Sequence, residues 1–156
     1  MRSVSESLGL GIPVALRAIA DVLEPVTLSF TLDAGTCSGE CRLRLASDGS
    51  VQYAGRVHDS GALSASYAAI VSISLVGSAD GPFLFPRRGH VGGTFSFESR
   101  DDDWDMNVRH TLVEKNWTAL KAGLPSARVD FGTGTGAIEL ITGLASAATG
   151  GFVIPF

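Results

Sequence analysis

Acidic residues crowd one stretch of the chain, Asp101-Asp102-Asp103-Trp104-Asp105-Met106-Asn107. Oxygen ligands at alternate positions suit a hard cation such as Ca²⁺ if they converge at about 2.3–2.6 Å. Asp103, Asp105, Asn107 and Glu114 fall on positions 1, 3, 5 and 12 of a helix–loop–helix calcium loop, and Asp101 offers one more carboxylate. Position 6 is Val108, however, where the sharp turn requires Gly. The expectation is therefore a solvated acidic loop over 99–110 with no cofactor, calcium being the alternative.

Trp104 sits among four aspartates. A large ring flanked by carboxylates and by Arg100 is the composition of a sugar-stacking platform, and Arg87, Arg88 and Asp59 extend the candidate ligand-binding set. Candidates for catalysis are Tyr53, Tyr67, His58 and His90. His58-Asp59-Ser60 has the residue types of a nucleophilic triad, but triad members must meet in space, and neighbours on one turn do not. His58 and His90 border turns on runs two apart, so a curled sheet would bring them to one end as part of a polar rim. Turn histidines without a catalytic task are the plainer reading.

The elements that must position these residues show in the alternation of side chains. Val26, Leu28, Phe30 and Leu32 alternate with Thr27, Ser29, Thr31 and Asp33, and five further runs follow. They are Cys41–Leu45, Val51–Val57, Leu63–Leu75, Phe83–Phe85 and Val91–Phe97, separated by turns such as Ser47-Asp48-Gly49 and Asp59-Ser60-Gly61. A period of two between turn residues predicts an antiparallel β meander over 26–98 with one wet face. Leu63–Leu75 exceeds an ordinary strand, which predicts a strong bend with a bulge near Ala68-Ala69. Its alternating serines argue against a membrane-spanning helix.

Helices flank the meander. Residues 12–24 place Leu16, Ile19, Ala20 and Leu23 on one stripe and Arg17, Asp21 and Glu24 on the other, an amphipathic helix opened by Pro13 and stopped by Pro25. Its mixed polar face suits packing on the domain better than a membrane surface, which favours a basic face. Residues 111–156 read as helices plus one or two strands. Leu112, Val113, Trp117 and Leu120 suit a helix ending at Gly123, or a shorter one capped by Asn116. Ala127–Phe131 reads as a strand and Ala137–Ala148 as a helix, and the apolar tail 152–156 docks as a last strand or in a subunit contact.

The segment Val129-Asp130-Phe131-Gly132-Thr133-Gly134-Thr135-Gly136-Ala137-Ile138 resembles the first cofactor-binding motif of class I S-adenosylmethionine-dependent methyltransferases. That resemblance covers about ten residues and implies a strand, a Gly-rich turn and a helix whose N-terminus approaches the cofactor. The chain departs from the family beyond it. Twenty residues follow Gly136, too few for a doubly wound sheet, and no acid lies past Glu139 to meet a ribose.

Composition bounds the rest. The chain has 156 residues with 45% hydrophobic and 18% charged, enough to bury one core, so a single domain over 1–156 is expected. Its net charge of −4 is matched by the stretch from Glu98 to Asp105, where five acids face one base, Arg100. The remainder is neutral and lacks the basic field of a nucleic-acid binder. Cys37 and Cys41 could form a small bridged loop or remain two thiols, and Arg17 and Asp21 interrupt any signal-peptide core. The fold expected is mainly β, a small barrel or sandwich with an N-terminal helix and one or two C-terminal helices. The function expected is a non-catalytic binding module for a small apolar molecule or a glycan. The alternatives are a small enzyme of the cyclase or isomerase kind working in a barrel interior, and a self-associating or membrane-active protein whose apolar tail makes the contact.

Overall fold

In the computed structural model, residues 25–75, 81–147 and 152–154 are described. The helix expected at 12–24 lies outside them.

Alternation builds the first sheet. β1 (Val26–Ala34) turns Val26, Leu28, Phe30 and Leu32 inward and leaves Thr27, Ser29 and Thr31 exposed. β2 (Cys37–Leu45) buries Cys37, Cys41, Leu43 and Leu45, and β3 (Ser50–Asp59) buries Val51, Tyr53 and Val57. The three pair antiparallel as a meander. After β3 the chain leaves this sheet and builds a second one from β4 (Ala65–Ile73) and β5 (Phe83–Val91), also antiparallel. It then returns as β6 (Asp101–Arg109), which lies against β3. β7 (Arg128–Thr133) pairs antiparallel with the free side of β4, and β8 (Phe152–Val153) runs parallel to β5. The sheets, β1-β2-β3-β6 and β7-β4-β5-β8, pack their inner faces around one core and are not closed into a barrel. Tyr53, Tyr67, Phe83 and Phe85 are at most 1% exposed there. Burying each such ring contributes roughly 1.5–3 kcal/mol.

Three expectations are corrected. The meander does not run through 26–98, because residues 60–64 and 92–100 carry the chain between sheets. Gly92 N bonds Ser99 O, while Thr94 N and Phe95 N bond Gly61 O and Ala62 O. The first closes the later connection on itself and the other two tie it to the earlier one, so β5 stops at Val91, and Phe95 and Phe97 stand 82% and 110% exposed. The long fourth strand is an ordinary one of nine residues with no bulge in its register, Leu63 being 78% exposed before it begins. Most of the acidic loop is instead a strand, β6, whose odd-numbered acids face solvent while Asp102, Trp104 and Met106 face inward. The geometry also decides between the two alternatives for the cysteines, since Cys37 and Cys41 lie four residues apart on one face of β2, about 13 Å at ~3.3 Å per residue. A disulfide spans at most about 7 Å between Cα atoms, so both are free thiols.

Between β6 and β7 the chain forms α1 (Thr111–Lys115), α2 (Trp117–Ala122) and a 3₁₀ turn at Leu124–Ser126. His110 Nδ1 accepts from Leu112 N at 3.2 Å, and Asn116 separates the two helices, so both readings of this stretch hold in part. Val113, Trp117 and Leu120 are buried in the core. α3 (Thr135–Ala147) packs across β7 and β4. Phe152 and Val153 dock as the last, edge strand of the second sheet, followed by the fully buried Ile154, whose N is bonded to Leu84 O at 2.9 Å. None of the described helices is long and apolar enough to cross a membrane.

Candidate functional site

The register of β6 carries Asp102 and Trp104 into the space between the sheets, opposite Val57 and Gly55. From the second sheet, Tyr67 of β4 and Arg87 of β5 point into the same space. Tyr67 OH donates to Asp102 Oδ2 at 2.5 Å, and Arg87 Nη2 donates to the same oxygen at 2.8 Å. Arg87 Nε reaches Tyr67 OH at 3.3 Å, and its Cζ stands 5.2 Å from the centre of the Trp104 ring. Tyr53 meets that ring edge-on at 5.7 Å.

Two glycines make this cluster fit. A Cβ on Gly89 would lie 2.3 Å from Asp102 Oδ2, and one on Gly55 would lie 2.4 Å from the Trp104 ring. Burial, followed by the bond to Asp102, pushes the Tyr67 hydroxyl well above the usual tyrosine range, so it keeps its proton and donates. Burial works against the charge on Arg87, but Tyr67 and Asp102 outweigh it and raise its pKa. Chemically the cluster can polarise or donate, yet Tyr67 is 1% and Trp104 6% exposed, so its groups serve as a strut between the sheets.

Tyr53 touches the cluster through the Trp104 ring, while its OH donates to Ala69 O at 3.4 Å deep in the core, and burial raises its pKa. The remaining sequence candidates do not join it. His58 Nδ1 lies 2.9 Å from Asp101 Oδ1 on the outer face of the first sheet, and His90 Nε2 lies 2.8 Å from Glu98 Oε2 on the second. Asp59 is fully buried; its Oδ1 accepts from Thr36 Oγ1 at 2.7 Å and Gly61 N at 2.8 Å, and its Oδ2 has no partner among the described residues. Arg100 donates to Asp59 O and Gly61 O, stapling the connection between β3 and β4.

The calcium candidates are spread rather than gathered. Asp101, Asp103, Asp105 and Asn107 occupy alternate positions of β6, roughly 6.6 Å apart at strand rise. Arg56 bonds Asp101 and Asp103, and Gln52 bonds Asp105. The bond from His58, then that from Arg56, lowers the Asp101 pKa. Glu114 sits on α1, 4.0 Å from Arg109. Among the described residues, no group of three or more His, Cys, Asp or Glu is placed to hold a metal ion.

A groove lies where α3 crosses the second sheet. Gly134, at φ 58°, turns the chain from β7 into α3, the strand–turn–helix order that the Gly-rich motif implies. The parallel sheet of that resemblance is not formed, since β7 is an edge strand antiparallel to β4. Gly134 in that turn and Ala137, Ile138, Ile141 and Thr142 on one face of the helix form one wall. Ser64 and the start of β4 from Ala65 to Tyr67, together with Arg88 and Gly89 of β5, form the other, around a volume of about 790 Å³. Ile138 is 67% exposed on this wall.

Two features escaped sequence reasoning. Carrying the period of two through 101–109 would have paired Asp102 with Trp104 on the inner face. The groove had only a weaker signal, Ala137, Ile138 and Ile141 at helical spacing on a helix that nothing obliged to pack here. Comparison of the chain with protein-family models, with curated proteins and with solved structures found no match.

Proposed function

We propose that this chain is a non-catalytic binding module and that the groove between α3 and the β4–β5 hairpin receives a small molecule with an apolar body. The groove itself carries the reading. Its volume of about 790 Å³ lies in the ~300–1,000 Å³ range of small-molecule sites, and Ala65, Ala137, Ile138 and Ile141 are interspersed with hydroxyls that could orient a ligand. Side chains occupy the space between the sheets, which favours a site on the outside of the second sheet over chemistry in an interior cavity. Trp104, the platform a glycan would need, is 6% exposed, and this favours an apolar ligand over a sugar.

A neutral naphthylamine dye tests the reading, because its emission rises on entering an apolar site. Saturable enhancement is expected with the wild-type chain and its loss in Ile138→Glu, a variant at a solvent-facing position that leaves the circular-dichroism spectrum unchanged. Equal enhancement in both proteins, or none in either, contradicts it.

A further inference from the structure

We infer that the ligand of this groove is an amphiphilic monoanion of the fatty-acid class, its carboxylate held by Arg88 and its chain laid along α3. The inference rests on the groove being the binding site. Arg88 is the one charged residue in its lining, which holds no acid to attract a cation. The guanidinium is exposed and has no ion-pair partner among the described residues. Its sequence neighbour Arg87 is instead engaged by Asp102 and Tyr67 on the opposite face of the sheet.

The nearby acids are engaged elsewhere. Glu98 pairs with His90, and Asp130 lies 3.7 Å from Arg128. Register places Ser66 opposite His90 and Ala68 opposite Arg88, so Ser66 and Arg88 are diagonal neighbours on one face. A carboxylate set there could take two N–H donors from the arginine fork, flanked by the Ser66 hydroxyl, which lies 3.2 Å from His90 Nδ1. An alkyl chain leaving that point would meet Ala137, Ile138 and Ile141, whose i, i+1 and i+4 spacing lines one wall. Charge and apolar surface thus match a molecule with one acidic head and one greasy tail. A doubly charged phosphate monoester would leave its second charge without a counter-ion in this lining.

The experiment is displacement of the neutral naphthylamine dye by monomeric decanoate and by decan-1-ol, with wild type, Arg88→Gln and the control Arg44→Gln on the outer face of the first sheet. Decanoate is expected to bind about tenfold more tightly than decanol, the order of a charge-assisted bidentate contact. R88Q should abolish that preference and R44Q should retain it. Equal affinity for acid and alcohol in the wild type, or a preference that survives R88Q, overturns the inference while leaving the groove as a binding site. If neither compound displaces the dye and the dye itself fails to bind, the groove reading falls and this inference with it. If the dye binds and neither compound displaces it, the inference alone is overturned.

Discussion

Replacing Asp102 by Ala removes the acceptor that joins the two sheets. Tyr67 OH and Arg87 Nη2 both donate to one oxygen of this carboxylate, at 2.5 and 2.8 Å. Charge-assisted bonds of this type contribute about 1.5–3 kcal/mol each when sheltered. The side chains of Arg87 and Asp102 are 22% and 24% exposed, so water replaces part of what is lost. A net loss of about 2–3 kcal/mol is therefore expected, below the ~3–5 kcal/mol seen when one partner of a fully buried pair is removed. In a domain of this size that corresponds to a fall in Tm of about 5–10 °C. Tyr67→Phe alone should lose about 1 kcal/mol, and the double variant Y67F/D102A should lose less than the sum of the two. Urea unfolding of the four proteins measures each figure. A loss below about 0.5 kcal/mol for D102A, or strictly additive losses, would refute the strut.

Three more expectations follow from the geometry. Gly55→Val puts a side chain into the Trp104 ring, where even a Cβ comes within 2.4 Å, and should lower stability by at least about 2 kcal/mol in the same urea assay. Burial raises the pKa of Asp59, but the bonds from Thr36 and Gly61 and the charge of Arg100 outweigh it and leave the folded value below the ordinary one. Its contribution is then complete above the unfolded pKa of about 3.9 and lost as pH falls through the folded value, so Asp59→Asn should flatten the acid limb of a stability–pH curve below about pH 4. Burial pushes the Cys41 thiol up to about 11 and also raises Cys37, so a thiol reagent at pH 8 should titrate both cysteines only after unfolding.

Residue types alternating along the chain made the β character and most strand positions legible. The first three strands lie where their apolar and polar residues take turns, and the Gly-rich segment opens a helix as its spacing implies. What could not be read was which strand pairs with which. Val91–Phe97 alternates as well as β1 does, but its backbone bonds go to the connection at Gly61 and Ala62. Alternation describes a ribbon and is silent on its partner. The acidic run misled for a different reason: five acids between 98 and 105 suggest solvent on all sides, whereas an edge strand can place charges on its outer face and still bury Trp104. Of the candidate residues, Tyr53, Tyr67, Arg87 and Trp104 do meet, because their register positions face one core. His58 and His90 end on the outer faces of different sheets, a separation that only the crossing at 60–64 decides.

Backbone amide shifts recorded during a decanoate titration test the central claim most directly. Ser64 to Tyr67, Arg88, Gly89 and the stretch from Thr133 to Thr142 should move along one saturable curve, while Arg56 and Asp101 on the far sheet stay in place. Shifts gathered on the outer face of β2, β3 and β6, or no saturable shift at any position, would contradict the groove as the seat of binding.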